Sequence, residues 1–271
     1  MYKQHKYFLS AIAFVVLSAL QLSAHAQAPA KKPAKKPAPI ELKTEKKPEA
    51  GPGQSGRFNV QSIPPSSDTT HTLTRFFTPA TGVKKAPNPS GFIQRWLVLE
   101  PVKNNRSNST MTESYLKTTL ATDNFSQDYN VVPKDRQIAS IGGKDLKWYG
   151  LDSKSFDFNL FHFSYATNNT RNGVLFWLVT VINCDQDIKN VKLSAGVNSA
   201  GMFWVNGKEV LVIPGDENVI SDSATSPLLT LKKGKNIIRA AVMNGQGMVT
   251  FCARFLDANG EPVKNYTITC E

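Results

Sequence analysis

The stretch Met202-Phe-Trp-Val-Asn-Gly-Lys-Glu-Val-Leu-Val212 decides the fold of this 271-residue chain. Asn206-Gly207 lies between two apolar runs, and this dipeptide favours a type I′ turn because both central residues need positive φ. We therefore predict a tight hairpin from residues 202–205 and 208–213. A second stretch, Leu231-Lys-Lys-Gly-Lys-Asn236, has the composition of a turn that enters another strand, predicted over residues 237–243.

The rest of residues 91–271 carries short apolar segments separated by polar turns. Residues 174–182 are nearly all apolar, which indicates a central strand buried on both faces. Residues 113–120 are predicted to form one short helix with Thr112 as its N-cap. A change of parity within residues 155–164 predicts a strand with a β-bulge. Further strands are predicted over residues 92–100, 130–133, 145–149, 191–197, 248–256 and 263–270. Many short strands with few helical patterns predict an all-β sandwich of the jelly-roll type.

The net charge of +11 is spread unevenly. Two of the excess positive charges lie in residues 1–26 and four lie in residues 27–50, which leaves about five for the rest of the chain. A nucleic-acid-binding domain would cluster Lys and Arg with aromatic residues on one element. The sequence shows no such element, so nucleic acid is not an expected partner.

The first 90 residues are predicted to lie outside the main fold. Residues 1–26 have a positively charged start, a short apolar run and an Ala24-His-Ala26 site, which are typical of a secretory signal peptide. An uncleaved membrane anchor is the alternative. Residues 27–56 are a Lys/Pro/Ala-rich linker that we expect to be disordered, and the only part to contact a membrane surface. Residues 57–90 are a Pro-rich arm, expected to lie on the domain with one short strand. The protein is therefore predicted to be exported to the periplasm, cell surface or medium.

No catalytic or metal-binding motif is present in the sequence. There is no G-x-S-x-G and no H-E-x-x-H, and after signal cleavage only His71 and His162 remain. His162 lies in the Phe-rich segment predicted as a strand, where a structural role is favoured over a catalytic one. Cys184, Cys252 and Cys270 are too widely spaced for a zinc site, and their odd number leaves at least one unpaired. We expect no catalytic residue, no metal and no cofactor, although an unrecognised carboxylate pair among the scattered acids stays open.

Aromatic residues are the other means of binding a sugar. Trp96 and Trp177 lie inside apolar strands and are predicted to be core residues, and packing is also favoured for Trp204. Trp148-Tyr149 lies between the Gly142-Gly143 turn and a polar stretch, so these two rings are the predicted candidates for an exposed sugar-stacking platform. Packing under a loop is nevertheless favoured over ligand stacking for both.

Four segments resemble galactose-binding-like β-sandwich modules in their sequence and order. They are Arg95-Trp-Leu-Val-Leu-Glu-Pro101, the W-x-N-G-K motif of residues 204–208, the L-x-x-G-x-N motif of residues 231–236, and Phe251-Cys-Ala-Arg-Phe255. Such modules are appended to glycoside hydrolases and to acetylxylan esterases of Bacteroidota. The resemblance covers residues 91–270 and implies a non-catalytic accessory domain, in which Asn206 and Gly207 are structural. One departure is Asn198-Ser-Ala-Gly201, where family members often carry an acidic pair.

We therefore expect an exported, non-catalytic module that binds a xylan-like polysaccharide or assists a separate carbohydrate-active enzyme. One alternative is an envelope protein that binds another protein and has no sugar site. The other is an acetylxylan-esterase-type hydrolase with an unrecognised site.

Overall fold

A computed structural model describes residues 72–217, 219 and 221–271. The predicted signal peptide, the predicted linker and the start of the arm lie outside these residues. Within the described part, no helix is long and apolar enough to span a bilayer. The described residues form two α-helices, α1 (Glu113–Thr122) and α2 (Leu160–Ala166). Its strands are β1 (Phe77–Pro79), β2 (Arg95–Leu99), β3 (Val102–Lys103), β4 (Ile138–Ile141), β5 (Lys144–Ser153), β6 (Val174–Cys184), β7 (Ile188–Val197), β8 (Ser199–Val205), β9 (Lys208–Glu217), β10 (Ala224–Thr225), β11 (Leu229–Leu231), β12 (Gly234–Asn244), β13 (Phe251–Leu256) and β14 (Thr267–Thr269).

The strands form two antiparallel sheets. The larger sheet has the order β1-β5-β2-β6-β12-β8-β9, with β3 and β14 also paired to β6 and β4 paired to β5. In the smaller sheet, β7 pairs with β10, β11 and β13. The predicted all-β sandwich is confirmed.

The main core lies between the two sheets. Trp96 of β2 packs edge-on against Phe251 of β13, with ring centroids 5.2 Å apart, and Phe203 of β8 lies 6.4 Å from the same ring. These side chains belong to one buried cluster that draws on both sheets. The burial of Trp96 follows the sequence prediction.

A second core covers the opposite face of the larger sheet. Leu116 and Leu120 of α1 lie over that face in one cluster with Trp177 of β6. Alternate side chains of β6 therefore enter different cores, since Phe176 belongs to the inter-sheet cluster and Trp177 to the outer one. The near-continuous apolar character of this strand is explained by burial on both faces. Trp204, which is 5% exposed, also packs in the outer cluster.

The predicted helix is confirmed, and it begins with the predicted cap. The Thr112 hydroxyl accepts a hydrogen bond from the amide of Tyr115. This bond satisfies one of the donors that are left without a partner at a helix N-terminus.

Two strand predictions are wrong. Residues 155–164 do not form a bulged strand, because Asn159 caps α2 by accepting from the amide of His162. The apparent change of parity is helical spacing, with Leu160 and Phe163 buried on one side of the helix. Residues 130–133 also form no strand. Pro133 has no N–H to donate to a ladder.

The described part of the arm lies on the sandwich, as predicted. Its strand β1 pairs with β5, from Phe77 opposite Ser153 to Pro79 opposite Leu151. Phe77 is 1% exposed and belongs to the inter-sheet core.

Candidate functional site

Trp148 and Tyr149 do not form the exposed platform that the sequence predicts. Trp148 is 0% exposed and packs edge-on against Phe125, with centroids 4.9 Å apart. Tyr149 is 9% exposed, with Phe163 at 5.5 Å and the Arg136 guanidinium 4.8 Å from its ring centroid. The structure shows the packing that was favoured over stacking, because the segment after α1 folds over this part of β5. Neither ring offers an open face for stacking on a sugar.

The Tyr149 hydroxyl also lacks the properties of a reactive group. It donates to the Glu100 carboxylate over 3.2 Å. Burial, followed by the nearby negative charge of Glu100, raises the pKa of Tyr149 above its usual value. The hydroxyl therefore stays protonated and serves as a fixed donor.

Asn206-Gly207 forms the predicted hairpin turn, with φ values of 50° and 78°. The Asn206 side chain joins the two sequence motifs. Its Nδ2 donates to Oδ1 of Asn236 over 2.9 Å, and its Oδ1 accepts from the amide of Ile237 over 2.8 Å. Asn236 is fully buried and also bonds the amide and carbonyl of Lys232. The Asn residues of W-x-N-G-K and L-x-x-G-x-N thus have a structural role, because their side-chain hydrogen bonds join the hairpin turn to the turn before β12.

His162 lies on α2, where its Nε2 is 2.9 Å from the Thr72 carbonyl oxygen and its ring centroid is 4.2 Å from that of Phe76. These contacts attach the start of the described arm to the helix. Among the described residues, no group of three or more His, Cys, Asp or Glu side chains is arranged to hold a metal ion.

A groove with a volume of about 510 Å³ lies beside β5. One wall is made by residues 80–82 and the other by residues 132–135, with Gly150 of β5 and Cys270-Glu271 between them. Asp135 and Glu271 supply carboxylates to the groove lining, Lys134 supplies an ammonium group and Thr81 supplies a hydroxyl. A concave surface with a few convergent polar groups is the usual form of a small-ligand site.

The first groove wall is held by a buried ion pair. Arg95 on β2 binds Asp152 on β5 in a bidentate arrangement, with Nε–Oδ1 and Nη2–Oδ2 distances of 2.8 and 2.9 Å. Its remaining donors reach the carbonyl oxygens of Thr81, over 3.1 Å, and of Val83. Arg95 and Asp152 lie on neighbouring strands, so their ion pair holds the guanidinium in place. The guanidinium in turn fixes the irregular segment of residues 81–83 against the sheet.

The segment leading to the second wall is held by Arg239 on β12, which is 0% exposed. Its guanidinium donates to Asn124 Oδ1 over 3.1 Å, to the Ser126 carbonyl over 3.1 Å and to the Asp128 carbonyl over 3.0 Å. The rings that surround it belong to Phe125, Tyr129 and Trp177, with centroids at 4.1, 4.4 and 5.5 Å. Burial lowers the pKa of Arg239 to about 10, so the group remains charged at neutral pH.

The chain passes the hairpin turn before it reaches the second groove wall. A side chain at Gly207 would have Asn130 Nδ2 at 3.0 Å, so residue 130 lies directly against the turn. The wall formed by residues 132–135 begins two residues later. Asp135 Oδ1 then accepts from the Gly150 amide over 2.7 Å, which ties this wall to β5.

The groove chemistry is that of hydrogen bonding. Burial raises the pKa of the Cys270 thiol to about 12, although the Arg95 charge opposes this shift. A thiol in this state is neutral and a poor nucleophile. The carboxylates of Asp135 and Glu271 accept hydrogen bonds, while Lys134 and Thr81 donate them. This set suits a ligand rich in hydroxyl groups.

In the sequence, Asp135 is one of several acids scattered on turns. The groove is assembled from four segments that are far apart in the chain, and no spacing in the sequence joins them. The Pro133-Lys-Asp135 sequence was the available signal, and it is typical of any polar turn.

No protein-family model and no curated protein matches the sequence. Among solved structures, the PA14 sugar-binding domain from an RTX adhesin is similar, with a TM-score of 0.39 and 11% identity over 64% of this chain and 96% of that chain. The PA14 domain of the MpAFP antifreeze protein has a TM-score of 0.36 and 13% identity over 60% of this chain and 82% of its own. A β-glucosidase from Kluyveromyces marxianus has a TM-score of 0.34 and 16% identity over 60% of this chain, and only 15% of the β-glucosidase is covered. At these TM-scores and sequence identities, nothing about the binding site or the ligand of this chain follows from the similarity.

Proposed function

We propose that this protein is an exported, non-catalytic module that binds polysaccharide in the groove between residues 80–82 and 132–135. The observation that carries the proposal is the preformed groove, whose first wall is held by the buried guanidinium group of Arg95 and whose second wall is tied to β5 by the bond between Asp135 and the Gly150 amide. A groove that does not have to be ordered on binding loses less conformational entropy when it takes a ligand.

The resemblance to modules appended to polysaccharide-degrading enzymes supports a xylan-like ligand and a separate enzyme as partner. Export would follow from the signal-like residues 1–26, and residues 27–56 would serve as a tether. Binding at the groove would raise the local concentration of substrate for the partner enzyme. The site is carried by hydrogen bonds to Asp135 and Glu271 in place of the ring stacking first expected at Trp148 and Tyr149.

The test is calorimetric titration of the mature chain with xylo-oligosaccharides, with Asp135→Asn as the site variant. An amide oxygen still accepts from the Gly150 amide, so the wall stays attached while the carboxylate charge is lost. A hydrogen bond to a charged group contributes about 1.5–3 kcal/mol, so we expect at least a tenfold loss of affinity.

Asp257→Asn is the matched control, because Asp257 also accepts from backbone amides, at residues 259 and 261, but does not line the groove. It should bind like the parent. Equal affinity of the parent and Asp135→Asn would remove the groove as the site. Failure of every neutral glycan to bind, with specific capture of an envelope protein, would favour the protein-binding alternative.

A further inference from the structure

The end of the sandwich that carries the hairpin turn also concentrates exposed lysines. Lys208 follows the turn, Lys233 and Lys235 flank Gly234 in the next turn, and Lys189 lies near the start of β7. All four side chains are exposed. We refer to these four residues as the lysine cluster.

Hydrogen bonds bring the members of the cluster together. The Asp187 side chain accepts from the Lys233 amide over 2.8 Å, and Lys189 lies two residues further along the same segment, so it is near the turn that holds Lys233. The bond between Asn206 and Asn236 joins the turn that precedes Lys208 to the turn that holds Lys235. Neighbouring strands lie about 5 Å apart and packed sheets about 10 Å apart, so the four lysine positions occupy one small surface.

The positive charge of this surface exceeds its negative charge. Within the described residues, the four ammonium groups have no hydrogen bond or ion pair. The nearby acids are mostly engaged, because Asp187 lies 3.3 Å from Lys232 and Glu209 lies 2.9 Å from Lys117. Two further exposed carboxylates lie near this end: Asp185, and Asp128, which accepts from the amide of Asn130 beside the hairpin turn.

The local field acts on Asp187, which also receives the Lys233 amide over 2.8 Å. The pKa of Asp187 is lowered by that backbone bond, then by the Lys232 side chain, and further by the charge of Lys189. Asp187 thus contacts the second turn through the Lys233 amide and the Lys232 ammonium group, and it also lies within the field of Lys189.

We propose that the lysine cluster is a binding surface for an acidic polysaccharide, one that carries carboxylate groups. This inference rests on the proposed function in that it takes the ligand to be a polysaccharide, and it adds a surface separate from the groove. Each lysine supplies three donors and a compact charge, and a rigid pair of turns holds several of them facing the same polymer.

The composition of the turns favours a polysaccharide over other polyanions. The turn residues are Asn, Gly, Lys and Asp or Gln, with no aromatic ring on which a nucleic-acid base could stack. The turn tips also lack apolar residues to enter a bilayer. A surface that offers only ammonium groups suits the carboxylate groups of a hydrated polysaccharide chain.

The test is binding of the full mature chain to polygalacturonate at low and high salt. The triple variant Lys208→Gln, Lys233→Gln, Lys235→Gln should lose at least tenfold in affinity, and its salt dependence should become shallower because fewer counterions are released. The matched control is Lys84→Gln, Lys103→Gln, Lys144→Gln, which removes the same charge from exposed positions elsewhere. The control should change affinity less than threefold.

Equal losses in the two triple variants would overturn the proposal, because net charge or the Lys-rich linker would then account for binding. Absence of polygalacturonate binding by the parent at low salt would overturn it as well. Titration of the same variants with neutral xylo-oligosaccharide separates the two sites, since the cluster variant should keep that affinity. If neutral glycan fails to bind and the cluster variant alone loses polygalacturonate, the groove is refuted and the cluster stands.

Discussion

Replacement of Arg239 tests whether a buried guanidinium without a contacting carboxylate holds the outer layer of the fold. In Arg239→Met, the carbonyls of Ser126 and Asp128 lose their donor. Each polar group left without a partner costs about 1–3 kcal/mol, and the lost cation–π contacts add about 2 kcal/mol.

A gain offsets part of this loss. Burial lowers the pKa of Arg239 from 12.5 to about 10, which corresponds to about 3 kcal/mol of unfavourable desolvation of the charged form. Because the folded-state pKa is the lower one, this penalty is present in full below pH 10 and declines as the pH rises towards 12.5. Methionine removes the penalty, so the expected net loss for Arg239→Met is about 1–5 kcal/mol.

Arg239→Lys should be at least as unstable as Arg239→Met. Lysine keeps a charge that must be desolvated, yet one ammonium group cannot reach the three acceptors that the planar guanidinium spans. The assay is urea unfolding of both variants and the parent at pH 7. A lysine variant more stable than the methionine variant by over 1 kcal/mol, or a methionine variant as stable as the parent, would refute the reasoning.

Gly215→Ala should cost more than 2 kcal/mol in thermal unfolding, because a Cβ there would overlap the carbonyl oxygen of Asn108. Gly150→Ala meets its nearest atoms at 3.6 Å, so it should fold normally yet weaken glycan binding by narrowing the groove. Gly207→Val should cost about 1–3 kcal/mol, because a β-branched residue is strained at a φ of 78°; normal stability with lost binding would make the turn a ligand site. Cys270, whose pKa is raised to about 12, should react with iodoacetamide at pH 8 far more slowly in the native chain than in urea, as followed by mass spectrometry.

Local sequence determined the hairpin, the cap of α1 and the buried central strand. Asn206-Gly207 specifies its turn through backbone sterics that need only two residues. Thr112 caps α1 through a bond to residue 115, three positions along the chain. The apolar run of β6 predicted burial on both faces, since a strand that is apolar at nearly every position has no face suited to water.

Tertiary structure decided the exposure of Trp148 and Tyr149 and the place of the groove. Both aromatic residues stand between polar segments in the sequence, but Phe125 and Arg136 cover them from another part of the chain. The groove depends on contacts such as Arg95 with Thr81, and Asp135 with Gly150. Sequence periodicity reports which face of a strand is apolar, whereas the packing of an irregular segment depends on distant donors and acceptors that leave no periodic trace.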